Sequence, residues 1–270
     1  MAFLSVDSAG SGAPCLIFVH GGFCDRHDWN VQVSAFATRH RVVTFDMPGH
    51  GESQLPAEPT VAALAEALCE IKARYGGRDA VLIGHSLGVD IILEAYRQSR
   101  EALAGLILIE GGLVADGDPE LAAKAVEERM DAVGLDAFLL GAFSQMFTPA
   151  SDPKLRDRVL GRLKKLDRTF AREIILSKVR WDASRAAAVL ASVTTPVRLI
   201  QSTYFDDTFQ RRSLAPGMTT PWTELVSRQT PHADLCYVEA TGHFPHIEAA
   251  DIVNEQIRTF IDRLRGTLRP

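Results

Sequence analysis

Short apolar runs alternate with longer amphipathic stretches along most of the chain. The runs at 15–19 and 80–83 are wholly apolar and the run at 41–45 is mostly apolar, which is typical of strands buried on both faces of a parallel sheet. At 29–37 and 60–75 the apolar residues recur at helical spacing, as in helices with one buried face. The pattern predicts an α/β protein with a mostly parallel central sheet flanked by helices.

Further strands follow the same pattern. A short strand is predicted at 3–6 and a buried one at 106–109, and strand patterns resume at 196–201 and 235–239. An amphipathic helix is expected at about 250–264.

One long segment lacks any convincing strand pattern. Residues 113–195 are instead typical of a series of helices. We therefore expect a core formed by 1–112 and 196–270. An all-helical lid would be inserted between the strand that ends at Glu110 and the strand that starts at Val197.

Composition restricts the classes of partner. The chain has 270 residues, of which 46% are hydrophobic and 23% charged, as in ordinary globular proteins. A net charge of −5 gives no electrostatic case for nucleic acid or an anionic membrane. No apolar run could span a bilayer and no signal peptide is recognisable, so we expect a cytoplasmic monomer or homodimer that acts on a small molecule.

The sharpest motif lies where the strand at 80–83 meets the next helix. Residues 84–88 read Gly-His-Ser-Leu-Gly. A tight turn at Ser86 would raise its hydroxyl above the helix N-terminus, and a Cβ at Gly84 or Gly88 would collide with a neighbouring element. The helix N-terminus favours developing negative charge. The alternative is a serine that caps an ordinary helix.

A serine hydroxyl needs a base to remove its proton as it attacks. His243 follows the last predicted strand in a Gly-His-Phe-Pro turn, at the same edge of the sheet as Ser86. We therefore take His243 as the candidate base.

Four motifs, which begin at His20, Asp46, Gly84 and Gly242, occur in this order along the chain. Together they make the chain resemble the α/β-hydrolase fold family, and in particular its small lidded members. These include esterases, lactonases, carbon–carbon bond hydrolases and cofactor-free haloperoxidases. The resemblance covers essentially the whole chain.

The resemblance implies a role for each matching residue. Ser86 would be the nucleophile and His243 the base. The backbone N–H groups of Leu87 and of Gly22, or of its neighbour Phe23, would form the oxyanion hole. No cofactor is implied.

The third member of the catalytic triad is the acid that orients the base, and the sequence does not decide which residue it is. The family usually has an aspartate in a Gly-x-x-Asp context after the strand at 197–201, but this loop lacks the glycine and offers Asp206 and then Asp207. Some relatives take the acid from the preceding strand, where Glu110 stands. A carboxylate that ends an apolar strand is partly desolvated and needs a partner such as an imidazolium. Glu110 and Asp206 therefore both remain candidates.

The resemblance and the histidine spacing also give expectations about the substrate pocket and about metal binding. Phe23 and the lid residues Met146 and Phe147 are expected to line the substrate pocket. The histidines near this edge lack the spacing of metal ligands, so we expect no metal site.

The leading functional hypothesis is a serine hydrolase that cleaves an ester, lactone or thioester of a small, largely apolar substrate through an acyl-enzyme on Ser86. Two alternatives are a carbon–carbon bond hydrolase with the same triad and a non-catalytic member of the fold that binds a small ligand.

Overall fold

The computed structural model describes residues 3–206, 208 and 210–267. The strands within these ranges are β1 (Val6–Ala9), β2 (Leu16–Val19), β3 (Val42–Phe45), β4 (Ala80–His85), β5 (Leu103–Ile109), β6 (Val197–Gln201), β7 (Thr203–Phe205), β8 (Arg211–Ser213) and β9 (Asp234–Tyr237). The helices are α1 (Asn30–Phe36), α2 (Val61–Tyr75), α3 (Leu87–Gln98), α4 (Pro119–Val133), α5 (Leu135–Ser144), α6 (Pro153–Leu163), α7 (Arg168–Ser184), α8 (Ala186–Ser192), α9 (Pro221–Gln229), α10 (Pro245–Glu248) and α11 (Ala250–Thr267).

The central sheet has the order β1-β3-β2-β4-β5-β6-β9. Its neighbouring strands are parallel except β1, which pairs antiparallel with β3 at the edge. Strands β7 and β8 form a separate antiparallel hairpin. Because the central strands run in one direction, the residues after β2, β4, β5 and β6 meet at one edge of the sheet.

The sheet is buried on both faces, as its apolar strands predict. In β2, Leu16 and Phe18 belong to the hydrophobic cluster under α1 and α11, whereas Ile17 and Val19 belong to the cluster under α2 and α3. Because successive side chains of a strand point to opposite faces of the sheet, this one apolar run contributes to both hydrophobic cores.

Five helices, α4 to α8, follow β5 and precede β6. We call this segment, residues 119–192, the helical insertion. Its helices α4 and α6 each begin with a proline, and the side chains of Asp118 and Asp152 cap them. Helix α7 packs on α4 and also contacts α2 and α3 of the core.

Two parts of the fold differ from the sequence expectation. The first strand occupies Val6–Ala9 instead of 3–6, because polar Asp7 and Ser8 are tolerated on an edge strand with one exposed face. The hairpin of β7 and β8 and helix α9 have no counterpart in the predicted elements. Among the described residues, no helix is both long and apolar enough to cross a membrane.

Candidate active site

Ser86 stands in a strained turn between β4 and α3. Its backbone has φ 53° and ψ −120°, a conformation that residues other than glycine rarely adopt. A Cβ on Gly84 would lie 2.3 Å from the carbonyl oxygen of Gly88, and one on Gly88 would lie 2.4 Å from that of Val19. The collision expected from the motif is confirmed, and it explains why both positions are glycine.

His243 and Glu110 form a buried pair beside this turn. The Nδ1–H of His243 donates to Oε2 of Glu110 at 2.8 Å. The other ring nitrogen, Nε2, is buried and has no hydrogen-bond partner. Because His243 and Ser86 line the same cavity, Nε2 is available to accept a proton there.

Hydrogen bonds to backbone atoms hold the loop that carries His243, which we call the histidine loop. The N–H of His243 donates to the carbonyl of Met146 at 2.8 Å, and the ring of His85 donates from Nε2 to the carbonyl of His243 at 2.7 Å. A Cβ on Gly242 would lie 2.4 Å from the same Met146 carbonyl. The helical insertion therefore contributes directly to the position of His243.

Glu110 is oriented by the residues that follow β6. Glu110 directly follows the last residue of β5, and its own φ is 56°. Its carboxylate accepts hydrogen bonds from the backbone N–H of Ser202 at 2.5 Å and of Thr203 at 2.8 Å. The hydroxyl of Thr203 also donates to Glu110. Burial alone would raise the pKa of Glu110, but the hydrogen bond from His243, followed by the charge of Arg211 and the hydroxyl of Thr203, holds that pKa well below its usual range.

The surroundings of His243 keep its ring in the neutral form, which is the form that can accept a proton. Burial lowers the pKa of His243, and the positive charge of Arg211 lowers it further, against the raising effect of Glu110. The ring is therefore neutral at neutral pH, and the carboxylate behind it can stabilise an imidazolium that forms during reaction.

The loop after β2 packs against the serine turn. His20 donates from Nδ1 to the carbonyl of Gly21 at 2.8 Å and accepts at Nε2 from the N–H of Met47 at 3.0 Å, so it braces this loop through backbone atoms. A Cβ on Gly22 would lie 3.5 Å from the side chain of Leu87. Leu87 opens α3, so its N–H has no partner inside the helix.

Not every predicted residue joins this group. The carboxylate of Asp206 bonds instead to Thr208, to the N–H of Gln210 and to Arg212, and it makes no contact with His243. The hairpin of β7 and β8 forms this separate turn, so Asp206 points into its own loop. Asp207 lies outside the described residues.

The three predicted pocket residues also lie elsewhere. Phe23 packs its ring on those of His50 and Phe143, and Phe147 stacks on Phe244. Met146 contacts the histidine loop through its carbonyl. None of the three predicted residues lines the cavity at Ser86. They support the loops around the site.

The cavity at Ser86 has a volume of about 110 Å³ and includes residues that the sequence did not indicate. Thr203 and Arg211 come from the hairpin, and Trp222 comes from α9. No motif identifies them, because they reach the site through elements without a clear sequence pattern. Within the described ranges, no group of three or more His, Cys, Asp or Glu side chains is arranged to hold a metal ion.

The chain is similar in sequence to known proteins. The sequence model of the alpha/beta hydrolase family matches residues 16–256. The dihydrolipoyllysine-residue acetyltransferase component of the acetoin cleaving system from Pseudomonas putida is 24% identical over 93% of this chain and 64% of its own length.

Two further proteins are similar to this chain, one in sequence and one in structure. The 2-succinyl-6-hydroxy-2,4-cyclohexadiene-1-carboxylate synthase of Klebsiella pneumoniae (strain 342) is 33% identical over 53% of this chain and 55% of its own. The chain therefore spans less than two thirds of the length of these curated relatives. Among solved structures, Est816, an N-acyl homoserine lactone degrading enzyme, superposes with a TM-score of 0.78 at 19% identity, over 96% of this chain and 97% of its own.

Proposed function

Because the chain belongs to the alpha/beta hydrolase family, we propose that it is a serine hydrolase that cleaves an ester, lactone or thioester bond of a small substrate. The observation that carries the proposal is the hydrogen bond from His243 to Glu110, 2.8 Å long, beside a cavity that His243 shares with Ser86. A nucleophile, a neutral base and an orienting carboxylate are the groups that acyl transfer requires.

In the first half of the proposed reaction, Nε2 of His243 takes the proton of the Ser86 hydroxyl as its oxygen attacks the substrate carbonyl. The N–H of Leu87, with that of Gly22 or Phe23, stabilises the tetrahedral oxyanion, and each such donor contributes on the order of 3 kcal/mol. The intermediate collapses, His243 returns its proton to the leaving alcohol or thiol, and the acyl group stays on Ser86.

In the second half, His243 takes a proton from a water molecule as the water attacks the acyl-enzyme. The second tetrahedral intermediate expels the Ser86 oxygen, which regains its proton from His243, and the carboxylic acid leaves. Glu110 stays ionised throughout and stabilises the imidazolium in both halves.

We propose that the helical insertion acts as the lid of this site. Two contacts support this role: the Met146 carbonyl holds the N–H of His243, and Lys178 of α7 lines the cavity at Ser86. A cover of this kind excludes water from the reacting groups and so strengthens their interactions.

Turnover of 4-nitrophenyl esters of graded chain length tests the proposal. We expect wild-type protein to hydrolyse the shorter esters and Ser86→Ala to lose at least about 10³-fold in kcat. Ser34→Ala serves as the matched control, because that serine lies exposed on α1 and bonds only to the carbonyl of Asn30. Equal activity of wild-type protein and Ser86→Ala would refute the proposal.

Carbon–carbon bond cleavage is the second candidate, because the same nucleophile, base and carboxylate can serve it. One relative in the comparison is named a synthase, not a hydrolase. An enzyme of that kind would turn over the 4-nitrophenyl esters poorly at every chain length. A protein that only binds ligands would show no turnover, and its ligand affinity would survive Ser86→Ala.

A further inference from the structure

Arg211 is a buried cation beside the candidate triad whose hydrogen-bonding capacity is largely unused. Its side chain is 12% exposed. One nitrogen, Nη1, donates to the hydroxyl of Thr203 at 2.7 Å and lies 3.5 Å from Oε2 of Glu110, at the outer limit of a hydrogen bond. Nε is buried without a partner, and no described residue accepts a hydrogen bond from Nη2. The edge of the guanidinium formed by Nε and Nη2 therefore lacks a hydrogen-bond partner among the described residues.

The charge of Arg211 is also poorly compensated. Burial lowers the pKa of Arg211, and Glu110 is the one group that raises it. Carboxylate partners raise the pKa of the other described arginines that have a shifted value: Arg26, Arg97, Arg162 and Arg172. Glu110 already accepts from His243 and from the backbone after β6. A buried cation in this position needs a further anion.

Arg211 lies in the wall of the candidate active site. It lines the same cavity of about 110 Å³ as Ser86 and His243. The ring of Phe205 lies 4.3 Å from the guanidinium carbon and restricts its movement. Trp222, which is 4% exposed, lines this cavity too, and its indole N–H has no partner. Two hydrogen-bond donors with unused capacity therefore belong to the wall near the nucleophile.

We infer that Arg211 binds a carboxylate of the substrate through its unpartnered edge, so that the scissile ester carries an acidic group at its far end. This inference rests on the proposed function and adds the class of substrate to it. A planar guanidinium offers two parallel N–H donors that match the two oxygens of a carboxylate. Because the cavity is small, a short chain would join the acid to the ester, as in the half ester of a short dicarboxylic acid.

The first experiment measures discrimination between acidic and neutral esters. The substrates are the mono-4-nitrophenyl esters of succinic, glutaric and adipic acids, each compared with its methyl-capped neutral counterpart. We expect wild-type protein to prefer at least one acidic ester by tenfold or more in kcat/KM. Arg211→Gln should reduce this ratio at least tenfold, and Arg211→Lys should retain part of it. The ratio is informative because any effect of Arg211 on His243 applies equally to both esters.

Arg212→Gln is the matched control. Its side chain is 58% exposed and pairs with Asp206, away from the cavity. We expect this variant to keep the wild-type ratio. A wild-type ratio near one for all three acids, or an equal loss of acidic and neutral turnover in Arg211→Gln, would overturn the inference.

Calorimetric titration of the free dicarboxylates separates this inference from the proposed function. At least one of succinate, glutarate and adipate should bind both wild-type protein and Ser86→Ala, and Arg211→Gln should weaken that binding at least tenfold. Arg211-dependent binding without ester turnover would refute the hydrolase and leave the anion site. Serine-dependent ester turnover without any dicarboxylate binding would refute the anion site and leave the hydrolase.

Discussion

Glu110 owes its position to its own backbone and to the residues after β6. Its φ of 56° directs the side chain toward Ser202 and Thr203, whose N–H groups hold one oxygen and leave the other for His243. A carboxylate held in this way fixes which nitrogen of the histidine carries the proton.

Replacement of Glu110 by Gln tests this role. The amide keeps the size of the side chain but cannot stabilise the imidazolium, so we expect kcat/KM for a 4-nitrophenyl ester to fall by about 10²–10⁴-fold. Asp206→Asn is the control and should stay within about threefold of wild type. If Asp206→Asn instead lost as much activity as Glu110→Gln, the acid would have been assigned to the wrong residue.

The residues of the site differ in how far the sequence could predict them. Ser86 and Leu87 belong to a turn whose spacing is sterically required, so their positions follow from local chemistry. Glu110 directly follows β5, whereas Asp206 follows β7, which belongs to the separate hairpin after the neighbouring strand β6. The sequence does not show the course of this hairpin, so it leaves both carboxylates as candidates. Arg211 has no local signal, because its relation to Ser86 exists only in the folded chain.

At the scale of elements, an ion pair connects the helical insertion to the core. Asp28 lies in a 3-10 turn before α1, and its side chain is 2% exposed. It accepts hydrogen bonds from Arg162 of α6 at 2.7 and 2.9 Å and from Arg158 at 3.3 Å. Burial would raise the pKa of Asp28, but hydrogen bonding and charge from Arg162, followed by Arg158, lower it. The carboxylate therefore stays ionised and depends on α6.

Removal of Arg162 should weaken the whole fold. Arg162→Ala leaves a buried carboxylate without its main partner, and we expect the free energy of unfolding to fall by about 3 kcal/mol. Urea denaturation at pH 7 measures the change. Arg156→Ala, at an exposed position on the same helix, should change stability by less than about 0.5 kcal/mol. A similar loss in both variants would contradict a specific role for the pair.

Some elements can be predicted from local sequence, and others depend on contacts with distant parts of the chain. The starts of α4 and α6 can be recognised in the sequence, because an aspartate cap followed by proline is local chemistry. Strands β7 and β8 have three residues each, which is too short for a strand pattern to be recognised. They exist through pairing with each other and through contacts with Glu110, which a local pattern does not encode.

At the scale of the whole molecule, buried histidines dominate the response to acid. Each of six has a pKa that burial lowers from its ordinary value: His20, His40, His50, His85, His243 and His246. Below pH 6.5 these histidines bind protons in the unfolded chain but not in the folded chain, so acid favours unfolding. Three buried or half-buried carboxyls oppose this in part, since burial raises their pKa: Asp90, Asp182 and Glu248.

We therefore expect the free energy of unfolding to fall as pH decreases from 7 to 5.5. Each histidine contributes about 1 kcal/mol per pH unit below 6.5, and the opposing carboxyls leave a net loss on the order of 3 kcal/mol. Urea unfolding at pH 7.5, 6.5 and 5.5 gives the slope. Constant or rising stability across this range would show that the histidines are not neutral in the folded protein.

Covalent labelling of the nucleophile tests the central claim most directly. A fluorophosphonate reacts with a serine that an adjacent base activates, and peptide mass spectrometry then locates the adduct. We predict one adduct on native wild-type protein, at Ser86, and none on Ser86→Ala. An adduct on Ser86→Ala equal to that on wild type, or no adduct at Ser86 in protein that hydrolyses esters, would contradict the account.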